Sequence, residues 1–138
     1  MAILFFTEGI HFAIPHPRKT ASWIKNSIKK EKRKLSGLIF IFCSDEYLLG
    51  LNIQYLHHKT LTDIITFDFS EGQKAINGEI YISIDRVKEN ALKYKKSVDE
   101  ELHRVIIHGV LHLIGYSDKA KRHKSEMQEK EEAYLSLR

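Results

Sequence analysis

The feature that most constrains the fold is a strongly specified helix near the C-terminal end of the chain. Ser97 and Glu100 match the S-x-x-E capping box, in which side chains and backbone at a helix start satisfy one another's hydrogen bonds. Gly115 marks the helix end, because glycine readily adopts the left-handed conformation with which helices often terminate. Apolar residues lie on several sides of this helix: Leu102, Val105, Ile106, Val110, Leu111 and Leu113. Such a helix is buried, so we predict that it lies at the centre of the domain.

The same helix has a pattern of metal-ligating residues. His108 and His112 have i, i+4 spacing, which stacks their side chains on one helical face, one turn apart. After Gly115 the chain can turn back and bring Asp118 towards the two imidazoles. The pattern HxxxHxxGxxD supplies two nitrogen ligands and a carboxylate, and it leaves the fourth tetrahedral position of zinc open to water. We therefore predict one Zn²⁺ per chain, held by His108, His112 and Asp118.

The spacing is similar to that of the metzincin proteases with aspartate as third ligand, but one residue of that pattern is missing. Those proteases read HExxH, and the glutamate takes a proton from the water on zinc. Gly109 stands at that position here. Because glycine in a helix costs about 1 kcal/mol relative to alanine, we interpret Gly109 as making room over the metal. The alternative is a close-packing contact, with the histidines as satisfied core residues.

Length and composition predict one domain, residues 1–138, in the cytoplasm. A chain of 138 residues can bury roughly two thirds of its unfolded surface without disulfides. The single cysteine, Cys43, lies in the apolar run LIFIFC, which favours a buried, inert thiol over a nucleophile. The apolar opening AILFF is too short for a secretory signal, and no apolar run is long enough to cross a membrane.

The net charge of +4 is unevenly distributed along the chain. Residues 25–34 read KNSIKKEKRK, and smaller basic groups recur at 93–96 and 119–124. For a metal-dependent protein this distribution favours a polyanionic substrate held through its phosphates. Lys29, Lys30 and Arg33 are the candidates for such contacts. Solvated helix faces and a loop are the plainer alternative.

Hydrophobic periodicity predicts an α+β fold. We expect strands at 3–6, 36–44, 64–70 and 80–84, and helices from about 17 or 20 to 30, at about 45–56, 86–94, 98–114 and 121–137. Ser44 and Asp85 are the expected caps of the second and third helices. The third and fourth strands alternate well enough for antiparallel pairing. The elements predict one mixed four-stranded sheet, covered mainly on one face by helices, with the metal helix against the sheet and a charged amphipathic helix on the surface at the end.

Three blocks of sequence resemble the YbeY family of bacterial rRNA maturation factors. They are HGVLHLIGYSD, LNIQYLHHKTLTDIITFDF and GEIYISI, and their order and spacing match from about residue 36 to residue 132. The resemblance implies a zinc-dependent, single-strand-specific endoribonuclease that acts in maturation of the 16S rRNA 3′ end and in ribosome quality control. It also implies that His108 and His112 are metal ligands, and that rRNA and the small ribosomal subunit are partners.

The chain departs from the family's usual pattern at the third ligand. The commonest pattern ends GYDH, with a histidine where this chain has Asp118. Zinc accepts carboxylate oxygen as well as imidazole nitrogen, so Asp118 remains the predicted third ligand. His123 is the alternative.

A second departure lies after the tyrosine of NIQYL, where the family usually has an arginine and this chain has Leu56. A positive group that binds phosphate is thus missing from its usual place. His57, His58 or Lys59 is the expected substitute, unless these are only exposed loop residues.

The missing glutamate leaves no obvious protein base, so the metal itself, the RNA 2′-hydroxyl or a second carboxylate must serve in its place, and turnover would be slow or assisted. Two rival functions stay open beside the endoribonuclease. The ligand spacing suits a metzincin-like metalloprotease, and the basic surface suits a non-catalytic RNA-binding factor for ribosome assembly in which zinc only steadies the fold.

Overall fold

The computed structural model describes residues 2–72 and 75–138. The strands are β1 (Ile3–Thr7), β2 (Leu35–Cys43), β3 (Ile64–Asp68) and β4 (Ile76–Ser83). The helices are α1 (Pro17–Lys30), α2 (Asp45–Leu56), α3 (Ile84–Tyr94), α4 (Val98–Ile114) and α5 (Lys121–Leu135). Most of these elements begin and end close to where periodicity predicts them, although β4 begins four residues earlier.

The four strands form one sheet in the order β1-β2-β4-β3. β2 pairs in parallel with both β1 and β4, whereas β3 pairs with β4 antiparallel. This confirms the predicted α+β class and the mixed four-stranded sheet. β3 is an edge strand, and α4 packs against β3 and β4.

The main core lies between α4 and this sheet. Phe40 and Ile80 from the central strands and Ile106 from α4 are fully buried. Helix and sheet approach most closely at Gly109, where an added Cβ would lie 2.7 Å from Cδ1 of Ile64 and 3.1 Å from Cγ2 of Ile80. The interpretation that Gly109 makes room over the metal was therefore wrong. Its missing side chain makes room for the sheet.

Side-chain caps fix the starts of three helices. At α4, Ser97 Oγ accepts from Glu100 N at 3.0 Å and Glu100 Oε1 accepts from Ser97 N at 3.2 Å, as the capping box predicts. At α2, Ser44 Oγ accepts from Tyr47 N at 3.1 Å, again as predicted.

The prediction that Asp85 caps α3 was wrong. The cap is Ser83, whose Oγ accepts from Arg86 N at 3.1 Å. Asp85 lies in the first turn, and its Oδ2 accepts instead from Asp45 N at 2.9 Å, which links α3 to the start of α2. Both side chains are good caps, and the helix begins two residues earlier than it would with Asp85 as its cap.

The C-terminal helix α5 is less exposed than predicted. Met127, Glu131 and Tyr134 are buried along one of its faces, with 1%, 4% and 6% of their surface exposed. The turn predicted between β3 and β4 includes residues 73 and 74, which lie outside the described residues. Within the part of the chain that the structure describes, none of the helices has the length and apolarity needed to cross a membrane.

Candidate metal centre

Helix α4 places His108 and His112 side by side with their ring edges together. Their Nε2 atoms are 3.0 Å apart. Both side chains are partly buried, with 16% of His108 and 27% of His112 exposed. The buried helix thus presents two nitrogen atoms at one point, and solvent or substrate can still reach them.

The loop after α4 brings Asp118 to the same point. Gly115 ends the helix with a φ of 125°, and the chain then reverses direction. Asp118 Oδ2 lies 3.4 Å from His108 Nε2 and 3.5 Å from His112 Nε2. Among residues 2–72 and 75–138, these three form the group whose ligand atoms all come within 4.8 Å of one another. His123 is not part of this group.

The other ring nitrogen of each histidine faces a hydrogen-bond acceptor. His108 Nδ1 lies 2.5 Å from Glu131 Oε2, and His112 Nδ1 lies 3.1 Å from the carbonyl oxygen of Tyr116. Carbonyl and carboxylate oxygens only accept, so Nδ1 donates in each case and each Nε2 carries a lone pair when the imidazole is neutral. Burial, together with the neighbouring His108, lowers the pKa of His112, which favours that neutral form.

This donor set fits a metal ion. Two Nε2 lone pairs and a carboxylate oxygen converge, and a cation between them removes their mutual repulsion. Two imidazole nitrogens and one carboxylate oxygen are a ligand set of catalytic zinc sites, in which the fourth position stays open. The centre can therefore hold a divalent metal through His108, His112 and Asp118.

A buried cluster of charges lies behind His108. Arg104 donates to both carboxylate oxygens of Glu101, at 2.9 and 2.7 Å. The same guanidinium lies 3.5 Å from Glu131 Oε1 and 3.6 Å from Asp63 Oδ2. The hydrogen bonds to Glu101 raise the pKa of Arg104, and burial raises the pKa of Asp63 although Arg104 opposes that shift. The cluster fixes Glu131 against the metal helix.

A second cluster anchors the loop that carries Asp118. Glu31, just after α1, accepts from Tyr116 Oη at 2.6 Å and from Lys130 Nζ at 3.1 Å. It also accepts from the hydroxyl of Tyr134. Burial alone would raise the pKa of Glu31, but these donors outweigh it and lower the pKa. Through Glu31, Tyr116 is linked to the end of α1 and to α5. Tyr116 precedes Asp118 by two residues, so this link holds the loop close to the metal ligand.

Of the predicted substrate-binding residues, Arg33 lies beside the metal centre. It lines a cleft of about 820 Å³ together with His112 and two exposed residues that flank it, Lys32 and Lys34. Its Nη1 donates to the carbonyl oxygen of Ile114 at 2.7 Å, which ties the α1–β2 turn to the end of α4. A basic rim therefore adjoins one of the metal ligands.

The structure does not bring the other predicted substrate-binding residues into that cleft. Lys29 and Lys30 line a separate depression beside Trp23. The remaining three are exposed residues at or after the end of α2: His57, His58 and Lys59. Leu56, in the place of the family's usual arginine, is the last residue of α2 and is 45% exposed.

Sequence reasoning missed Glu131 and the Tyr116 carbonyl. It included Lys32 and Lys34 in the basic run 25–34 but did not name them as phosphate contacts. One signal could have found Glu131. It follows the buried Met127 by four residues and precedes the buried Tyr134 by three, which puts a charged side chain on the inner face of an amphipathic helix. The other contacts depend on how loops fold back and leave no periodic signal.

Three comparisons with known proteins, by family model, by sequence and by structure, each give a match over most of the chain. A family model described as Endoribonuclease YbeY matches residues 11–137. The protein named Endoribonuclease YbeY of Amoebophilus asiaticus is 50% identical over 133 residues, which cover 96% of this chain and 90% of that protein. Its counterpart of the same name in Cytophaga hutchinsonii is 49% identical over 136 residues, covering 99% and 95%. The solution structure of TM1509 from Thermotoga maritima has a TM-score of 0.69 and 29% identity, covering 98% of this chain and 87% of that one.

Proposed function

The chain belongs to the YbeY family of endoribonucleases and is thus an RNA-cleaving hydrolase, and from this premise we propose that it is a zinc-dependent enzyme specific for single-stranded RNA. The proposal includes a role in maturation of the 16S rRNA 3′ end and in ribosome quality control, with the small ribosomal subunit as partner. It also includes a cytoplasmic location and one catalytic domain formed by residues 1–138.

The convergence of three ligand atoms supports the metal dependence. The Nε2 atoms of His108 and His112 and a carboxylate oxygen of Asp118 lie within 4.8 Å of one another. Hydrogen bonds at the two Nδ1 atoms hold the imidazole rings so that both Nε2 atoms face the aspartate. Zinc suits two imidazoles and one carboxylate. His123 remains the alternative third ligand, for which the geometry offers no comparable support.

The metal ligands and the missing base at position 109 define the proposed cleavage chemistry. A zinc ion bound here would supply Lewis acidity towards a phosphodiester oxygen and would make a bound water more acidic. His108, His112 and Asp118 would hold that ion beside the cleft. Position 109 supplies no protein base, so a hydroxide held at the centre or another carboxylate would have to accept the proton, whether water or the RNA 2′-hydroxyl is the nucleophile.

Basic residues at the cleft would hold the RNA backbone. Lys32 and Lys34 are exposed next to Arg33, and His112 lines the same cleft. Positive side chains beside the reacting phosphate both bind the polyanion and offset charge that develops during cleavage. We therefore assign the phosphate contacts to Lys32 and Lys34, with Arg33 holding the turn against α4. A contribution from His57, His58 or Lys59 at the far end of the substrate remains part of the proposal.

Packing at Gly109 disfavours the metalloprotease. The protease mechanism needs a glutamate at this position, but Ile64 and Ile80 occupy the space into which its side chain would project. A glutamate here could not act as base without displacing sheet residues from the core. The non-catalytic RNA-binding factor is tested directly by the experiment that follows.

The decisive assay compares three substrates. Metal-loaded wild-type protein should cut a single-stranded RNA oligonucleotide, and should leave a duplex of the same sequence and an unfolded protein intact. His112→Ala protein, with its fold checked by circular dichroism, should cut none of them. Digestion of the protein substrate would favour the protease. RNA binding without cleavage, unaffected by His112→Ala, would favour the assembly factor.

A further inference from the structure

Glu131 is a buried carboxylate on the inner face of α5, a helix whose other face is charged and exposed. Only 4% of its surface is accessible, and Met127 and Tyr134 lie on the same inner face of α5. Burying a carboxylate is unfavourable unless it is paired and hydrogen-bonded. Met127 and Tyr134 already supply apolar packing on this face, so packing against the core does not explain why position 131 carries a buried carboxylate.

Each oxygen of Glu131 has its own partner. Oε2 lies 2.5 Å from His108 Nδ1, and Oε1 lies 3.5 Å from Arg104 Nη1. The shorter contact is the one to the histidine. Arg104 directs its close hydrogen bonds to Glu101, at 2.9 and 2.7 Å, so Glu131 is not its main counterion.

The balance of charge in this cluster points towards the histidines. One guanidinium, that of Arg104, faces three carboxyl groups: Glu101, Glu131 and Asp63. A positive ion on the far side of His108 would offset part of this negative charge. The imidazole ring transmits the effect, because a carboxylate at one ring nitrogen makes the other nitrogen a stronger donor to a metal.

We propose that Glu131 is a positioning residue for the metal centre: its carboxylate accepts the Nδ1 proton of His108, and so fixes the ring orientation and the tautomer that present Nε2 to the metal. The inference rests on the metal site of the proposed function and assigns to α5 a part in building that site. His112 obtains the equivalent support from the carbonyl oxygen of Tyr116, which no side-chain substitution removes directly.

The first test is made on the wild-type protein, and a variant serves only to assign the signals. In metal-free wild-type protein with ¹⁵N-labelled histidine, nitrogen shifts report which ring nitrogen carries the proton; His108→Gln protein assigns the signals. Under conditions where His108 is neutral, we expect its proton on Nδ1. A proton on Nε2 would overturn the proposal, because the metal-binding nitrogen would then not be the one left unprotonated.

The second test compares Glu131→Gln with Glu132→Gln. Both changes remove one negative charge from α5 without changing side-chain size, but Glu132 is exposed. Titration against a chelator of known zinc affinity should show a loss of about 10- to 100-fold for Glu131→Gln, the usual effect of removing an outer partner of a ligand. Glu132→Gln should bind as wild type does. In metal-free Glu131→Gln protein the His108 proton should distribute between both nitrogens.

The outcomes separate this inference from the proposed function. Equal zinc affinities of wild type and folded Glu131→Gln would overturn the role of Glu131 alone. Wild-type protein that binds no zinc would contradict the proposed function as well. If Glu131→Gln does not fold, which circular dichroism reveals, the tautomer of wild-type His108 decides the question.

Discussion

The metal centre has two halves that are built differently. In the helix half, His108 and His112 project from α4, which is fixed in the core by residues such as Ile106. Each Nδ1 lies within hydrogen-bond distance of an acceptor oxygen. In the loop half, Asp118 is 41% exposed and follows a helix-ending glycine. Its support is indirect and passes through the hydrogen bond between Tyr116 and Glu31.

The difference explains which part of the site can vary. The helix half is preorganised, because moving either imidazole would disturb the core or a buried hydrogen bond. The loop half is more exposed and its ligand has no direct hydrogen-bonded support, so we expect it to tolerate a side chain of different length and charge. The resemblance implies a histidine at this position in most of the family, and an aspartate here fits that expectation.

The largest effect should come from the helix half. His112→Ala should weaken zinc binding by more than the roughly 100-fold that losing an outer partner can cause, and it should abolish RNA cleavage. A chelator titration and an oligonucleotide assay measure both quantities. Since His112 is partly exposed, the thermal midpoint of the metal-free protein should change little. Full metal content in the His112→Ala protein would contradict the assignment.

Asp118 should matter less, and its replacement should be partly reversible. Asp118→Ala leaves the imidazole pair intact, so some zinc binding should persist, with an affinity between those of wild type and His112→Ala. Asp118→His restores a ligand of the type zinc favours and should recover most of the affinity. A His123→Ala protein is the control. If it loses more affinity than Asp118→Ala, the loop half has been assigned to the wrong residue.

The basic rim should affect RNA binding and leave the metal in place. Lys32→Glu with Lys34→Glu should weaken binding of single-stranded RNA and reduce the slope of log affinity against log salt by about 1.4, if each lysine contacts one phosphate. Lys88→Glu with Lys96→Glu makes the same change in net charge at two exposed positions outside the cleft. Equal losses in both proteins would show only a general effect of charge.

A substitution on the side of α4 that faces the sheet should change the stability of the fold and leave zinc affinity nearly unchanged. Gly109→Ala gains helix propensity of about 1 kcal/mol but places a methyl group against Ile64 and Ile80. Overpacking of this kind costs about 1 to 3 kcal/mol, so urea denaturation should show a net loss of up to about 2 kcal/mol, with little change in zinc affinity per folded molecule. A more stable Gly109→Ala protein would contradict the close packing described between α4 and the sheet.

The smallest effect should come from the loop anchor. Tyr116→Phe removes the hydroxyl that donates to Glu31 but keeps the main-chain carbonyl that supports His112. One hydrogen bond contributes about 1 kcal/mol, so both stability and zinc affinity should fall slightly. In the Asp118→Ala background the change in zinc affinity should disappear, because the loop then has no ligand to position. An equal loss in both backgrounds would mean that Tyr116 supports the helix half instead.

Much of the helix half could be predicted from sequence, because local patterns determine it. The capping box of Ser97 and Glu100, the spacing of the histidines and the position of Gly115 are all read within one element. The α+β class and the antiparallel pairing of β3 with β4 follow similarly from alternation and from turns.

What could not be predicted depends on how distant elements pack. Glu131 reaches His108 across 23 residues because α5 folds back along α4. Periodicity shows that Gly109 lies on a helix but not that Ile64 faces it. Basic residues cluster from Lys25 onwards, yet only the turn after α1 reaches the cleft, which moves the proposed phosphate contacts from Lys29 and Lys30 to Lys32 and Lys34.

The coordination of zinc in the purified protein tests the central claim most directly. We would load wild type, Asp118→Ala and His123→Ala proteins with zinc and record X-ray absorption spectra. The account predicts about one zinc per chain in the wild type, with two imidazoles and oxygen ligands, an unchanged spectrum for His123→Ala and an altered one for Asp118→Ala. Three imidazoles in the wild type, or a zinc site that the Asp118 change leaves untouched, would contradict it.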